Sequence, residues 1–308
     1  MTDKQEIALS KRNLHIFTAA MGVLLIASIV IFGLRILGLL AVSYAVALAF
    51  EFLFSKVRKK PLDQGWMVTP LVLVLILPPT APMWLAGVAS GFGILFGKMI
   101  FGGTGGTIFN PAAVGYLFAL ISFPQQMATM WIDPVNDVIA SASPLIDLNA
   151  GNFSYTFTEL MLGNVPGTIG ETFRLGIIVI GIALIILKVI DWRIPLTYIA
   201  ATFAFTGLGY LVMPDSFVSP IYSLITGGLL FGAFFMATDP VTSPVFPWAK
   251  VFYGIGLAFI TVLIRNFAAF PEGVIFAIII MNALGTLFDH YFEEKEKAMP
   301  SEEAEVIG

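Results

Sequence analysis

Residues 14–34, LHIFTAAMGVLLIASIVIFGL, and residues 36–57, ILGLLAVSYAVALAFEFLFSKV, decide the fold class of this chain. Each run is about as long as the 20 or so mostly apolar residues that a helix needs to cross a bilayer. The whole chain has the same character, since 58% of its 308 residues are hydrophobic and only 12% are charged. Soluble domains carry about 25% charged residues. The sequence therefore predicts an all-α integral membrane protein.

The composition excludes several kinds of site. The chain has no Cys, which excludes disulfides, iron–sulfur clusters and thiolate zinc sites. No basic stripe marks a nucleic-acid surface, and we predict no metal site. The first apolar run is too long for a signal peptide, so we expect it to be retained. Redox chemistry on this chain would need an organic cofactor or partner subunits.

About ten apolar segments qualify as transmembrane spans. They lie at residues 14–34, 36–57, 66–83, 84–102, 109–124, 172–190, 195–213, 221–238, 251–267 and 272–292. With ten spans, the Lys and Arg clusters fall on one face, which the positive-inside rule makes cytoplasmic. The remaining long segment falls on the other face and contains neither Lys nor Arg. We expect a cytoplasmic segment at 1–13, a first transmembrane half at 14–124, an external loop at 125–171, a second transmembrane half at 172–292 and a cytoplasmic tail at 293–308.

Two stretches share a pattern that predicts an internal repeat. LILPPTAPMW (75–84) and FMATDPVTSPVFPW (235–248) are each followed by a helix with one cation near its end and then by Asn110 or Asn282. Five spans separate the copies, and an odd number inverts the second copy in the membrane. Inverted repeats with broken helices are typical of transport folds, in which irregular backbone must be buried. We therefore expect two inverted five-helix repeats, with the Pro79 and Pro240 hairpins meeting near the centre. The asparagines should satisfy the freed backbone groups.

Charged residues inside apolar segments are costly and suggest function. Glu51, late in the second span, and Asp239, in the second hairpin, are candidates for an ion or proton path. Asp239 has the alternative role of capping the turn that precedes Pro240. Four further residues lie near span ends, where we expect them to reach the membrane interface: Lys98, Arg265, Asp289 and His290.

Two loops contain residues that suggest a binding site. FGGTGGTIFNPAAVGYLFALISFP (101–124) opens with a Gly-rich loop before Asn110-Pro111. Such loops can bind phosphate through backbone N–H groups, but the spacing is not that of a P-loop, and close helix packing is the favoured interpretation. The 125–171 segment and its end hold DVIASASPLIDL (137–148) and GNVPGTIGETF (163–173). Hydroxyl groups lie among small residues there, at Ser141, Ser143, Thr168 and Thr172.

These motifs occur in an order that resembles a known family. GGTGGTIFNPAAVGYLFALISFP, DVIASASPL, GNVPGTIGE and MATDPVTSP are similar to the D subunit of the Rnf complex and to its relative, the B subunit of the Na⁺-translocating NADH:quinone reductase. The resemblance covers nearly the whole chain. The length of the chain favours the Rnf subunit. The resemblance implies an electron-transfer subunit of an ion pump, which is not catalytic alone. The inverted five-helix repeat with its proline hairpins is itself similar to the urea-transporter architecture. The location that the resemblance implies is a bacterial or archaeal cytoplasmic membrane, with both termini inside.

The resemblance also implies an FMN joined through its phosphate to a hydroxyl in a motif like Asp-x-x-Ser/Thr-Gly-Ala-Thr. Here that motif begins at Asp137, and the acceptor position is Ser143. The residues before it depart from the pattern, since Ala140 and Ser141 replace the Ser/Thr and the Gly, so a flavin transferase must accept an altered motif. Ser141 is the second candidate acceptor. Non-covalent FMN and an empty site stay open.

The implied cofactor site also includes Gly167, Thr168 and Asn110. The implied partners are the other membrane and peripheral subunits of an Rnf-type complex and a flavin transferase. In that complex, electrons would pass between ferredoxin and NAD⁺ while Na⁺ or H⁺ crosses the membrane. Two other functions fit the residues: a solute channel or transporter of urea-transporter-like fold, and a membrane anchor of a redox complex without a cofactor of its own.

Overall fold

The fold is described from a computed structural model of the chain. The described residues are 10–63, 65–128, 131–134, 138–140, 143–150, 155–268 and 272–298. The helices are α1 Lys11–Phe32, α2 Arg35–Arg58, α3 Val68–Ile76, α4 Met83–Ile94, α5 Pro111–Ser122, α6 Pro124–Ala128, α7 Pro144–Asn149, α8 Phe157–Leu162, α9 Arg174–Ile186, α10 Arg193–Val212, α11 Pro220–Ile225, α12 Leu229–Phe231, α13 Pro247–Phe267 and α14 Val274–Ala298. π-Helical turns at Leu95–Met99 and Gly232–Met236 continue α4 and α12, and β1 Trp131–Asp133 pairs antiparallel with β2 Val138–Ala140.

Five helices of the described part are long and apolar enough to cross a membrane: α1, α2, α10, α13 and α14. Three shorter apolar helices accompany them, namely α4 with its π-helical turn, α5 and α9. Large apolar side chains stay exposed along the long helices, as expected where lipid replaces water as the solvent. The chain is therefore a mostly helical, multi-pass membrane protein. Helix is present within each of the ten segments that the sequence predicts as spans.

Two of the predicted spans are broken. The predicted span 66–83 is helical only in its first part, because α3 ends at Ile76 and an extended stretch follows where the sequence indicates a proline hairpin. Pro78, Pro79 and Pro82 lie in that stretch, and proline has no N–H to continue a helix. The span predicted at 221–238 is interrupted between α11 and α12. Gly227 adopts a positive φ of 66° at this break, a conformation that favours glycine.

A short segment after α8 compensates for the break that follows α3. The N–H of Gly170 donates to the carbonyl of Leu75 at 2.6 Å, and the N–H of Ile169 donates to the carbonyl of Leu77 at 3.0 Å. The Ser28 hydroxyl on α1 donates to the Ile169 carbonyl at 2.6 Å. Buried backbone groups need such partners. Part of the segment predicted as an external loop therefore lies deep among the helices.

The two proline hairpins do not meet near the centre, so that prediction is wrong. Pro79 follows the end of α3, where its carbonyl accepts a hydrogen bond from the Arg35 side chain. Pro240 lines a cavity together with Gly65 and Val68, at the start of α3. The hairpins thus lie at opposite ends of this short helix. We call the end where α1 begins the N-terminal face, and the end where α1 gives way to α2 the loop face.

The two halves of the chain pack in parallel ways. In the first half, α4 lies against α2 and α5, and in the second half, α13 lies against α10 and α14. Glycine allows α4 and α5 to approach closely. A Cβ atom on Gly115 of α5 would come within 2.3 Å of the Ala89 carbonyl oxygen on α4, and one on Gly93 within 2.5 Å of the Pro111 carbonyl oxygen. Close helix packing therefore holds for Gly115 of the 101–124 stretch, whereas Gly103 in the loop before Asn110 lies against Asp63 instead.

We expect Gly115→Ala to lower the thermal unfolding midpoint of the purified protein in detergent. The new methyl group must displace backbone, and overpacking of this kind costs about 1–3 kcal/mol. Gly22→Ala on α1 is the matched control, because a Cβ atom there meets no atom within 4 Å. An equal midpoint for Gly115→Ala and Gly22→Ala would contradict the packing described here.

Candidate functional site

A buried polar network joins the two halves of the chain at α5 and α14. The Asn110 side chain caps α5 by accepting from the N–H groups of Ala112 and Ala113. The backbone N–H of Asn110 donates to the Asn282 side-chain oxygen at 3.0 Å, and its side-chain amide lies 3.4 Å from the Asp239 carboxylate. Both asparagines therefore satisfy freed backbone groups, as the sequence predicts. A role for Asn110 in cofactor binding stays a prediction.

Asn282 extends the network into the second hairpin. Its amide donates to the Thr242 carbonyl at 3.1 Å and to the Tyr253 hydroxyl at 2.8 Å. Asp239 fixes the hairpin backbone, since its carboxylate accepts from the Val241 N–H at 2.9 Å. The predicted turn-capping role of Asp239 is confirmed. The same carboxylate faces Asn110, so the capping role does not exclude a further one.

A buried ion pair lies near the N-terminal face. The Lys98 ammonium lies 2.5 Å from the Glu51 carboxylate and 3.7 Å from that of Asp63. Lys98 and Glu51 are only 1% and 2% exposed. The prediction that Lys98 reaches the membrane interface is therefore wrong. Glu51 satisfies a buried cation on the fourth predicted span, which the sequence did not reveal.

The Gly-rich loop binds a carboxylate of the chain itself. Asp63 accepts from the N–H of Thr104 at 2.6 Å and from the N–H of Gly65 at 2.9 Å. Gly103 has a φ of 99°, and a Cβ atom there would meet the Asp63 carboxylate. Burial alone would raise the pKa of Asp63, but the Lys98 charge and these hydrogen bonds lower it below its usual value. The Thr104 amide of this loop therefore already holds an anionic group.

Two cavities border the ion pair of Lys98 with its carboxylate partners. An interior cavity of about 80 Å³ is lined by Lys98, Asn110, Asp239 and other side chains of both halves. A surface cavity of about 80 Å³ is lined by Glu51 and Asp63. A water molecule needs about 10–15 Å³ measured in this way, so each cavity has room for several. The two candidates for an ion path, Glu51 and Asp239, thus lie beside the same cation.

A second charged cluster lies near the loop face. Arg265 at the end of α13 donates to the carbonyls of Ser223 (2.7 Å) and Thr226 (3.3 Å), and lies 3.3 Å from the Glu272 carboxylate. Glu272 also accepts from the N–H of Gly228 at 2.9 Å. Arg265 satisfies the carbonyls that the break after α11 frees, so its predicted position at the interface is wrong.

The remaining two charges near span ends differ from each other. Asp289 accepts from the N–H groups of Val245 and Phe246, at 2.8 and 3.2 Å, and so fixes the backbone immediately before α13. His290 is 69% exposed and pairs with Glu294, in agreement with an interfacial position.

The segment that compensates for the break in α3 also carries the candidates Gly167 and Thr168. The Thr168 hydroxyl donates to the Glu171 carboxylate at 2.9 Å, and a Cβ atom on Gly167 would lie 2.8 Å from the same carboxylate. Glu171 and Glu272 border one small cavity. Arg174 is buried next to them, and its guanidinium donates hydrogen bonds to the carbonyls of Leu160 and Thr172.

Ser143 is the first residue of the described stretch that carries α7. It stands immediately before α7, its side chain makes no capping hydrogen bond, and it is 8% exposed. The helix that it precedes packs against the break after α11, where Leu145 lies next to Gly227. The candidates Asp137 and Ser141 lie outside the described residues.

Unpaired buried donors are concentrated near the loop face. In the described part of the chain, such nitrogen or oxygen atoms belong to Trp131, Thr172, Arg174 and Arg265, with Thr242 as the exception in the second hairpin. Buried polar groups without partners are costly, so each one needs an explanation.

Sequence reasoning missed the acidic residues that lie in loops. Asp63 and Glu272 adjoin apolar segments, and Glu171 lies within the GNVPGTIGE motif, yet each was overlooked because it stands outside a predicted span or at its edge. An acid within a few residues of a span, next to glycine, is a signal that would have found all three.

Burial, followed by the neighbouring Glu272 carboxylate, raises the pKa of Glu171 to about 7 against the opposing effects of Arg174 and Thr168. Its folded-state pKa therefore lies above the ordinary value of 4.5. The stability linked to this proton is complete below pH 4.5 and is lost as the pH rises towards and through 7. A shift of this size corresponds to about 3 kcal/mol at most.

We expect Glu171→Gln to flatten the fall in thermal unfolding midpoint between pH 5 and pH 8, because glutamine stays neutral. Thermal unfolding of the purified protein at a series of pH values measures this. Glu294→Gln, at an exposed position, is the control and should keep the wild-type profile. Parallel profiles for wild type and Glu171→Gln would show that this carboxyl does not titrate in the window.

Comparison with known proteins gives the family. The model of the NQR2, RnfD, RnfE family matches residues 4–297. The chain is 36% identical over 272 residues to the D subunit of the Na⁺-translocating ferredoxin:NAD⁺ oxidoreductase complex of Acetobacterium woodii, covering 86% of this chain and 83% of that protein. It is 32% identical over 301 residues to the D subunit of the ion-translocating oxidoreductase complex of Shewanella frigidimarina, covering 84% and 86%.

A further relative represents the quinone-reductase branch. The B subunit of the Na⁺-translocating NADH-quinone reductase of Ectopseudomonas mendocina is 35% identical over 262 residues, which cover 82% of this chain and 65% of that protein. The family match spans every described helix from α1 to α13 and nearly all of α14. The chain belongs to the NQR2, RnfD, RnfE family of membrane subunits.

Proposed function

We propose that this chain is the flavin-carrying membrane subunit of an ion-translocating oxidoreductase complex of the ferredoxin:NAD⁺ type. The observation that carries the proposal is the similarity to two D subunits of such complexes over more than four fifths of the chain. The chain passes electrons and helps to couple them to Na⁺ or H⁺ transport. It acts with the other membrane and peripheral subunits of an Rnf-type complex, and a flavin transferase attaches its cofactor.

The proposed arrangement in the membrane is ten crossings in two inverted five-helix repeats of urea-transporter-like architecture. The parallel packing of α2, α4 and α5 and of α10, α13 and α14 supports it. So does the position of the two buried cations, since Lys98 lies near the N-terminal face and Arg265 near the loop face. Both termini are then cytoplasmic, in a bacterial or archaeal cytoplasmic membrane, and the 125–171 segment is external.

The proposed cofactor is FMN, joined through its phosphate to the Ser143 hydroxyl. Two observations fit this group: the Ser143 side chain does not cap α7, and unpaired donors lie in the neighbouring elements. When bound, a flavin supplies one- and two-electron redox chemistry that amino-acid side chains lack. The chain's own part is to hold the phosphate end at Ser143 and to provide partners from Thr168 and its surroundings. Because Ser143 is 8% exposed, the attachment requires the segment to be open at that moment.

The ion path is proposed to use Glu51 and Asp239. Both are carboxylates from different halves of the chain, and both lie beside the two cavities at Lys98. Carboxylates at bilayer depth are costly and therefore usually serve a function. A carboxylate can bind either Na⁺ or a proton, so the proposal holds for both ions.

We expect the intact mass of the purified subunit to exceed that of the polypeptide by one FMN less one water, the difference that a phosphoester makes. Ser143→Ala should lose this mass and the flavin fluorescence on a denaturing gel, because the attacking hydroxyl is gone. Ser219→Ala, which also replaces a serine immediately before a helix, is the control and should keep both. Ser141→Ala tests the second acceptor. Wild-type protein without added mass would reject covalent attachment.

We expect Glu51→Gln to reduce ion uptake per electron transferred in proteoliposomes that contain the assembled complex. The amide cannot bind a proton and binds a cation more weakly; a loss of about 1.4 kcal/mol already means a tenfold lower affinity. Glu294→Gln is the control at an exposed position. Undiminished ion uptake by the Glu51→Gln complex would remove this residue from the path. Solute flux by the isolated chain, without flavin, would favour the channel function instead.

A further inference from the structure

Lys98 occupies a position that the proposed ion path does not yet explain. Its ammonium contacts Glu51 and Asp63, which line the surface cavity, while its side chain lines the interior cavity that contains Asp239. The positive charge of Lys98 also favours the ionised form of the Asp239 carboxylate. Lys98 therefore links the groups that line the two cavities.

The backbone holds Lys98 at this place. Lys98 lies in the π-helical turn Leu95–Met99, and such turns occur often at functional sites. Its neighbour Gly97 is pressed against Pro111, where a Cβ atom would lie 2.8 Å from the Pro111 Cα. On the other side, the Arg58 guanidinium donates to the carbonyl of Met99. The turn therefore has little room to move, and a displacement of the ammonium must come from the flexible lysine side chain itself.

An ion pair that only held two helices together would not need to border a cavity. Lys98 lines the interior cavity, whose lining is mostly apolar but includes the polar side chains of Thr107, Asn110 and Asp239. A fixed positive charge in a passage excludes cations electrostatically. The neighbouring cations Arg58 and Lys60 line the surface cavity, at its outer side, and do not line the interior one in the described part of the chain.

We propose that Lys98 is an electrostatic barrier between the two carboxylates of the ion path. While its ammonium pairs with Glu51, cations do not pass between the surface and interior cavities. Passage requires the ammonium to leave Glu51, which frees that carboxylate for the transported cation. The barrier prevents a leak in the absence of electron transfer. This inference rests on the proposed ion path and adds to it the element that keeps the path closed.

The test is passive cation leak from proteoliposomes that contain the whole assembled complex, with no electron donor or acceptor present. Loss of a Na⁺ gradient and loss of a pH gradient are measured separately. We expect Lys98→Met to raise the leak of the transported ion at least several-fold over wild type, because the barrier charge is removed. Lys98→Arg keeps the charge and should stay tight.

Two further variants separate a barrier from a packing defect. Removing one partner of a buried ion pair is strongly destabilising, whereas removing both together is often tolerated. The double variant Glu51→Gln with Lys98→Met therefore serves if Lys98→Met alone does not assemble, and it should leak as well. Lys250→Met is the matched control, because Lys250 pairs with Asp191 away from both of these cavities. It should stay tight.

The inference is overturned if assembled complexes without the Lys98 charge are as tight as wild type, or if Lys98→Arg leaks as much as Lys98→Met. The leak is measured without redox substrates, so it does not depend on whether the chain carries flavin. Unchanged ion pumping by Glu51→Gln would reject the ion path, whereas tight Lys98→Met vesicles would reject the barrier alone.

Discussion

The satisfaction of backbone groups at membrane depth is the constraint on which this structure depends. Hydrocarbon offers no hydrogen-bond partners, so irregular backbone survives only where the protein itself supplies them. The two broken helices meet this demand in different ways. The carbonyls at the end of α3 receive the N–H groups of Ile169 and Gly170, and those after α11 receive the Arg265 guanidinium. Asn110 and Asn282 do the same where α5 begins.

The same demand explains where the charges lie. Lys98 and Arg265 both stand near the ends of the helices that the repeat aligns, and each pairs with an acid, Glu51 or Glu272. The pairs lie near opposite faces, as expected if the second half is inverted relative to the first. Buried ion pairs contribute little to stability compared with apolar packing.

Much of the fold could be predicted from the sequence, because apolar segments of sufficient length have few alternatives to a membrane helix. Helix lies within every predicted segment, and the Asn110 and Asn282 contacts agree with the role that the proposed repeat predicts for them. The prolines at 78 and 79 indicate the break in the sequence. The residues that satisfy its free carbonyls could not be predicted, because residues 169 and 170 are distant in the chain. Lys98 and Arg265 were misplaced, since a cation near a span end looks the same whether it reaches water or a buried carboxylate. The location of such a cation depends on the group with which it pairs, and tertiary packing determines which group lies near it.

We propose that this chain couples electron transfer to ion movement as one member of a larger complex. The most direct measurement is ion uptake by proteoliposomes that contain the complex purified through a tag on this chain. We predict that partner subunits and flavin copurify, and that reduced ferredoxin with NAD⁺ drives uptake of Na⁺ or H⁺. A chain that purifies alone, binds no flavin and moves a solute without any electron donor would contradict the account.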